Sequence, residues 1–382
     1  LALSYQIFTD SDSLPETWDG VASYNLFLTK SYFRVLQQSA PANMSCFFIG
    51  LFDEDKLVGC AIAQFLDMAS VDSFGSRDHC LKENLRLFFF RRFASRVLIL
   101  GNNMLSGENT FVFKSDIDQS DAFTALEGAM DSLRKDLAKQ GRAPHLVVWK
   151  DFKPELASMI PDSVRQKFFR FTAQPNMVFE IPADWISENN YVNTLNKKYR
   201  DQYKRARKKQ HGVFMRQLSA KEISENLITI HALYRTVADN APFNTFYLKP
   251  NHWLSLKDNL GEDFLLYGYF EGNKLVGFDT LIKNGSVMET YFLGYDASVQ
   301  KQRMLYLNML YNMLGYAVKN RFRKVIFGRT ALEIKSSVGA TPIELTSFMQ
   351  HQNPIVHKFL PMLYGYFEPA VEWKQRHPFK HD

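Results

Sequence analysis

"GLFDEDKLVG", Gly50 to Gly59, returns late in the chain as "GYFEGNKLVG", Gly268 to Gly277, with six of ten positions identical. Asp53/Glu271 and Asp55/Asn273 are conservative changes, and the apolar flanks "FFI" and "LLY" also correspond. Locally each copy reads as a β-hairpin, because apolar strand residues run into an acidic or Gly/Asn-rich turn and leave through Lys-Leu-Val-Gly. The downstream sequence repeats too. "FTALEGAMDSLRKDLAKQGRAPHLVVWKD" (Phe123 to Asp151) and "LYLNMLYNMLGYAVKNRFRKVIFGRT" (Leu305 to Thr330) each carry apolar residues at spacings of three and four. That pattern predicts a helix of about four turns, ending near Gln140-Gly141 or Asn320-Arg321 and leading into "HLVVW" or "KVIFG" as a strand. Hairpin, helix, then strand in the same order twice implies two related domains of the mixed α/β class.

A length of 382 residues with 46% hydrophobic content supports two sizeable cores. The expected seam is "FEIPADWISENNYV", where Pro182 closes a strand-like run and Ser187 can cap a helix. The expected domains are therefore 1–185 and 186–382. Cys46, Cys60 and Cys80 form no C-x-x-C pair, so neither a disulfide framework nor a cysteine zinc site is indicated and a cytoplasmic setting is expected. The nine histidines include no H-E-x-x-H motif, so no catalytic metal is expected. "LRLFFFRRFASRVLIL", Leu85 to Leu100, is interrupted by four arginines and does not read as a membrane span. A net charge of +6 permits an anionic partner without requiring one.

Past the seam, eight of the thirteen residues from Lys197 to Lys209 are Lys or Arg. At 100° per residue Leu195, Tyr199, Tyr203 and Ala206 form one stripe, with the cations, Lys198, Arg200, Lys204, Arg205 and Arg207 among them, around the remaining face. Gly212 is the expected stop. The helix is either a solvated surface or a docking face for a phosphate-rich ligand such as a nucleotide cofactor or RNA backbone.

The order of these parts resembles the acetyltransferase-like domains of the GNAT superfamily, and in particular the branch similar to the Fem-type peptidoglycan aminoacyltransferases. The resemblance rests on the basic helix with Lys198, Arg200 and Arg205, the "GNKLVG" hairpin and the Leu293 to Asp296 turn before a long helix. It extends to the strand into Phe327-Gly328-Arg329, with Lys335 and Gly339 beyond. It implies a bacterial-type protein with two tandem GNAT domains, each a mixed, mostly antiparallel sheet flanked by helices. It also implies transfer of an acyl group from acyl-CoA or aminoacyl-tRNA to an amine acceptor, a cell-wall or glycan precursor being the expected class. Acetyl-CoA-dependent members carry Q/R-x-x-G-x-G/A after the central strand, whose glycines admit the pyrophosphate. Here the stretch is Gln300-Lys301-Gln302-Arg303-Met304-Leu305, which weighs toward a non-standard donor, although Arg303 can offer a charged fork to phosphate.

Amide formation needs a base and an acid near the reacting carbon. On "VMETYFLGYD", strict alternation puts Glu289, Tyr291 and Leu293 on one face. Glu289 is then the expected base, Tyr291 or Tyr295 the acid, and Asp279 in "LVGFDTLI" the competing base. "FGRTALEIKSSVGA" follows a strand directly, so Arg329, Glu333 and Lys335 are candidates for binding a phosphate or carboxylate, the resemblance singles out Gly328 and Lys335, and Thr330 with Glu333 also matches a capping box. The rival to an enzyme is a catalytically silent protein that holds a phosphorylated glycan precursor or RNA in the same cleft. A second rival, suggested by Phe88 to Arg96, is a membrane-surface protein.

Overall fold

The computed structural model describes residues 3–70, 90–241, 243–367 and 373–380. Its chain divides into two compact units, one of Leu1–Ala173, Pro242–Lys249 and Glu344–Val371, the other of Gln174–Ala241, Pro250–Ile343 and Glu372–Asp382. The expected cut at 185 is therefore too late and too simple. Residues 174–181, ahead of Pro182, already belong to the second unit, and two later segments belong to the first.

Sheet pairing explains the division. The first unit holds β1 (Ser4–Phe8), β2 (Met44–Asp53), β3 (Lys56–Asp67), β4 (Arg96–Leu100), β5 (Phe111–Phe113), β6 (Leu146–Phe152) and β7 (Phe169–Thr172). The second holds β8 (Asn176–Glu180), β9 (Val213–Gln217), β10 (Phe264–Glu271), β11 (Lys274–Asn284), β12 (Val287–Tyr295), β13 (Lys324–Gly328) and β14 (Thr341–Ile343). A last strand, β15 (Thr346–His351), joins the first sheet. The orders are β1-β2-β3-β4-β6-β15-β7, with β5 on β3, and β9-β10-β11-β12-β13-β8-β14. Pairing is parallel at β4/β6 and β12/β13 and antiparallel elsewhere. The strand beside β6 comes from the end of the chain, and the strand beside β13 from just after the first unit.

The two hairpins occupy the same place in the two sheets, down to a shared irregularity. In the first, Leu51 pairs with Gly59 and Phe52 with Leu57; in the second, Tyr269 pairs with Gly277 and Phe270 with Leu275. Side-chain surroundings match as well. A Cβ on Gly50 would meet Phe52 at 2.9 Å and Leu57 at 3.1 Å, and one on Gly268 would meet Phe270 at 2.8 Å and Leu275 at 3.1 Å. No side chain fits at either position without displacing the packing that closes the hairpin, which accounts for the repeated glycine.

The helices complete the repeat. Helix α1 (Gln119–Lys139) is longer than expected, whereas its counterpart in the second unit, Leu305–Lys319, has the expected length. They end at Gln140 and Asn320, followed by left-handed residues at Gly141 (φ 74°) and Arg321 (φ 62°). Apolar faces of these helices bury against the sheets in two separate cores, one around Phe123, Leu126 and Trp149, the other around Leu310, Leu314 and Met288. Of the arginine-interrupted run Leu85 to Leu100, the part through Phe89 and the arginine at 86 lie outside the described residues, and Arg96–Leu100 is β4. Among the described residues no helix is long and apolar enough to cross a membrane.

Candidate active site

The site is built on the second sheet. Helix α2 (Glu188–Thr194) starts at Ser187, whose backbone N–H donates to Asn190 Oδ1 at 3.1 Å, so the capping residue expected at the seam is in use. Helix α3 (Lys197–Lys209) follows with Tyr199 and Ala206 buried and Tyr203 half-buried, as the stripe requires. After α4 (Ala297–Arg303) comes α5 (Leu305–Lys319), an apolar helix with asparagines at 308 and 312, one turn apart.

A cavity of about 450 Å³ opens within this unit. Its walls include Met215, Tyr267, Leu281 and Met313, with Asp279 and Asn312 as inner polar groups and Glu188 and Lys319 contributed by the two helices. Asp279 is 1% exposed. Burial pushes its carboxyl up to about 7, with the Tyr269 hydrogen bond pulling the other way. The Tyr269 hydroxyl donates to Asp279 Oδ2 at 2.6 Å and accepts from Asn312 Nδ2 at 3.0 Å. Asn312 Oδ1 in turn accepts from Arg207 Nη1 at 2.6 Å, and Arg207 pairs with Glu188. Burial opposes the Arg207 charge, but the Glu188 carboxylate outweighs it and the guanidinium ends above its ordinary pKa. One connected set of hydrogen bonds thus runs from the basic helix to the buried carboxyl. The donor directions are consistent throughout, so Tyr269 has its one proton committed to Asp279.

Glu289 is elsewhere. A β-bulge lies between Asp279 and Leu281, so that Asp279 pairs with Leu293 while Leu281 pairs with Thr290. Both β11 residues line the cavity, and their partners are three residues apart rather than two. The expected alternation of Glu289, Tyr291 and Leu293 is therefore broken. Glu289, 5% exposed, stands opposite Ile282, on the sheet face away from the cavity. Tyr291 Oη is 3.1 Å from His252 Nε2, and Tyr295, its hydroxyl pKa raised by burial, packs on Tyr306.

The expected phosphate ligands are dispersed. Lys204 and Arg205 are exposed on α3, Lys198 lies over the Tyr199 ring, and Arg200 donates to the Leu195 carbonyl at 3.1 Å. Arg207, expected on the outer face, adjoins Tyr203 and turns inward to the network described above. Arg303 is bound by Glu271 and by the His211 carbonyl, 3.1 Å from Nη1. Gly328 ends β13 at φ 75° and Arg329 follows it half-buried. Helix α6 (Leu332–Ser337) is capped by Ala331 at φ 53°, not by Thr330, and Glu333 bonds the Lys374 N–H and Arg376 instead of closing a capping box. Lys335 on α6 is 4% exposed, 3.5 Å from Thr330 Oγ1, and burial pushes its pKa down to about 7. Cys46 and Cys60 are free, Cys80 lies outside the described residues, and among those described no cluster could hold a metal ion.

Of the candidate site residues picked out from sequence, Asp279 is the one that lines the cavity; Tyr269, Asn312 and Glu188 were not picked out, and Arg207 was placed on the outer face instead of in the network. Asn308 and Asn312, polar residues at i and i+4 in an otherwise apolar helix, were the available signal. The internal repeat supplies another. Matching the hairpins puts Asp279 on Ala61 and Tyr269 on Leu51, and both first-unit residues are fully buried in an apolar core. The second unit therefore carries polar chemistry where its counterpart carries packing.

No family model matches the chain, and no curated protein matches it in sequence. In structure it is similar to FemX, with a TM-score of 0.54 at 12% identity over 93% of this chain and 99% of that one. A tandem GNAT protein from the clavulanic acid biosynthesis pathway gives 0.49 at 9% identity over 92% and 99%, and L-PGS from Bacillus licheniformis gives 0.48 at 10% over 89% and 97%. With two duplicated mixed sheets matching FemX end to end, the chain has the fold of FemX.

Proposed function

We propose that the protein is an N-acyltransferase or aminoacyltransferase whose reaction takes place in the second-unit cavity, with Asp279 as general base. The observation that carries this reading is a buried carboxyl, titrating near neutrality at the wall of a cavity, at a position where the duplicated unit has Ala61. A base is most effective when its pKa lies near the working pH. An amine acceptor enters largely as ammonium and gives its proton to Asp279. The neutral amine then attacks the acyl carbon and the C–N bond forms, the nitrogen's second proton passes to the carrier oxygen or sulfur as its bond to the acyl carbon breaks, and Asp279 releases the first proton to solvent. Tyr269 and Asn312 hold the carboxylate in one orientation.

The residues do not fit an acyl-CoA pyrophosphate at the start of α5. That cradle needs small residues whose backbone N–H groups are open to the ligand. Here Arg303 is committed to Glu271 and His211, and Leu305 is fully buried with Cδ2 2.9 Å from the Cβ that Gly277 lacks. The donor we favour is aminoacyl-tRNA, a choice supported by the exposed cationic face of α3.

The test is a transfer assay with a charged tRNA mixture, and separately acyl-CoA, against a panel of amine acceptors read by mass spectrometry. Asp279→Asn should lower turnover roughly 10²–10⁴-fold, the usual contribution of a general base. Full turnover in that variant would exclude Asp279 as the base. Absence of transfer from either donor, with glycan-precursor or RNA binding retained, would favour a binding protein.

A further inference from the structure

Far from the cavity in sequence, α7 (Pro354–Phe367) is hydrophobic around most of its circumference, yet only part of it is covered. On the covered side Leu360 is buried, Tyr364 packs on Phe169 and Phe171, and its hydroxyl donates to the Thr172 carbonyl. At 100° per residue the other side presents Pro354, Ile355, Lys358, Phe359, Pro361 and Met362. All are exposed, Ile355 by 70% and Met362 by 66%. The exposed half of a surface helix ordinarily carries charged and polar residues, and among the described side chains on this face Lys358 is the single one. Cations gather beside it. His351 Nδ1 accepts from the Asn353 N–H at 2.9 Å, which leaves Nε2–H to donate to the Phe93 carbonyl at 2.8 Å and so ties the turn bearing Arg91 and Arg92 to the start of α7. Both arginines are exposed, and no Asp or Glu occurs from Leu345 to Phe367.

From this combination we infer that the outer face of α7, with Arg91 and Arg92, docks on the surface of an anionic lipid bilayer. Apolar side chains at the level of the acyl boundary, flanked by cations at the level of the phosphates, are what interfacial binding requires. The cations also choose between occupants. A second copy meeting this face through a two-fold axis would bring each cluster of Lys358, Arg91 and Arg92 toward its own mate, and like charges oppose that. The inference does not depend on the chemistry of the cavity.

The experiment is flotation of the full chain with phosphatidylcholine vesicles, with and without phosphatidylglycerol, at low and high salt. The wild type should float with the anionic vesicles, and less so at high salt. Arg91→Gln/Arg92→Gln should lower partitioning roughly thirty-fold, the combined attraction of two surface cations. Ile355→Ser/Phe359→Ser/Met362→Ser should abolish flotation at either salt concentration. Circular dichroism should give wild-type melting for both variants, since every changed side chain is exposed; Phe359→Ser alone, expected to weaken binding partially, serves as a milder substitution. Failure of the wild type to float with anionic vesicles, or flotation unchanged in both variants, would overturn the inference. So would a wild type that is dimeric without lipid and made monomeric by the apolar triple substitution, because the face would then be a self-association surface.

Discussion

A carboxyl held near neutrality inside an apolar strand has consequences for stability as well as catalysis. Asp279 has a folded-state pKa near 7, above that of an unfolded aspartate, so between about pH 4 and 7 the folded state binds a proton that the unfolded state has lost. Stability should therefore fall as pH rises through that window and level off above it. Asp279→Asn should remove this dependence and raise stability at pH 8 by a few kcal/mol, read from urea unfolding at several pH values, while transfer is lost. Lys335 has the opposite sign. Its folded pKa near 7 lies below the unfolded value, so the burial penalty is fully present at low pH and is relieved as pH rises from 7 toward 10. Lys335→Met should stabilise the protein at pH 6 and flatten the profile above 7. Asp279 was visible in the sequence as a charge out of place, whereas Glu289 was favoured because strict alternation was assumed along β12. The bulge opposite Asp279 breaks that alternation, and no pattern of residue types around it announces an extra residue in the ladder. Turnover in Glu289→Gln should stay within a few-fold of wild type.

At the level of the element, helix α3 does two jobs with neighbouring side chains. Lys204, Arg205 and Lys208 face solvent, while Arg207, adjacent in sequence, is hydrogen-bonded to Asn308 and Asn312. Replacing Lys204, Arg205 and Lys208 with Gln should leave folding intact, weaken tRNA binding, and flatten its salt dependence by roughly 0.7 to 0.9 in log–log slope for each phosphate no longer neutralised. Superimposable binding curves for wild type and variant would return that face to the role of a solvated surface. Arg207→Gln should behave differently. It leaves Glu188 without its cation and Asn312 without its donor, so it should lower melting temperature and shift the Asp279 titration. The basic helix was legible from its stripe, but which cation turns inward depends on partners more than a hundred residues away, Asn308 and Asn312, and local periodicity carries no such information.

Across the whole molecule, repetition of the hairpin was sufficient to reveal two domains, because a turn and a closely packed glycine constrain the same residue types wherever they recur. It could not reveal which strands complete each sheet. β8 and β15 are short, and their partners β13 and β6 lie far along the chain in both cases. The pairing predicts a particular failure on disrupting β15. Met349→Pro breaks the ladder of β15 with β6 and β7 while leaving Glu372–Asp382 on the second unit, so the first unit should lose cooperative unfolding and protease resistance while β9 to β14 remain protected. Loss of both units together would contradict the assignment of β15 to the first sheet alone. The same repeat isolates the chemistry, since Asp279 and Tyr269 replace Ala61 and Leu51 of an otherwise matching hairpin. The central claim is thus that one buried carboxyl, absent from the duplicate unit, is poised to accept a proton. Carbon-13 NMR of the aspartate carboxyls across pH, assigned by comparison with Asp279→Asn, tests it most directly. The prediction is a resonance titrating at about 7 that is missing from the variant, and an Asp279 resonance titrating near 4 like an ordinary aspartate would contradict it.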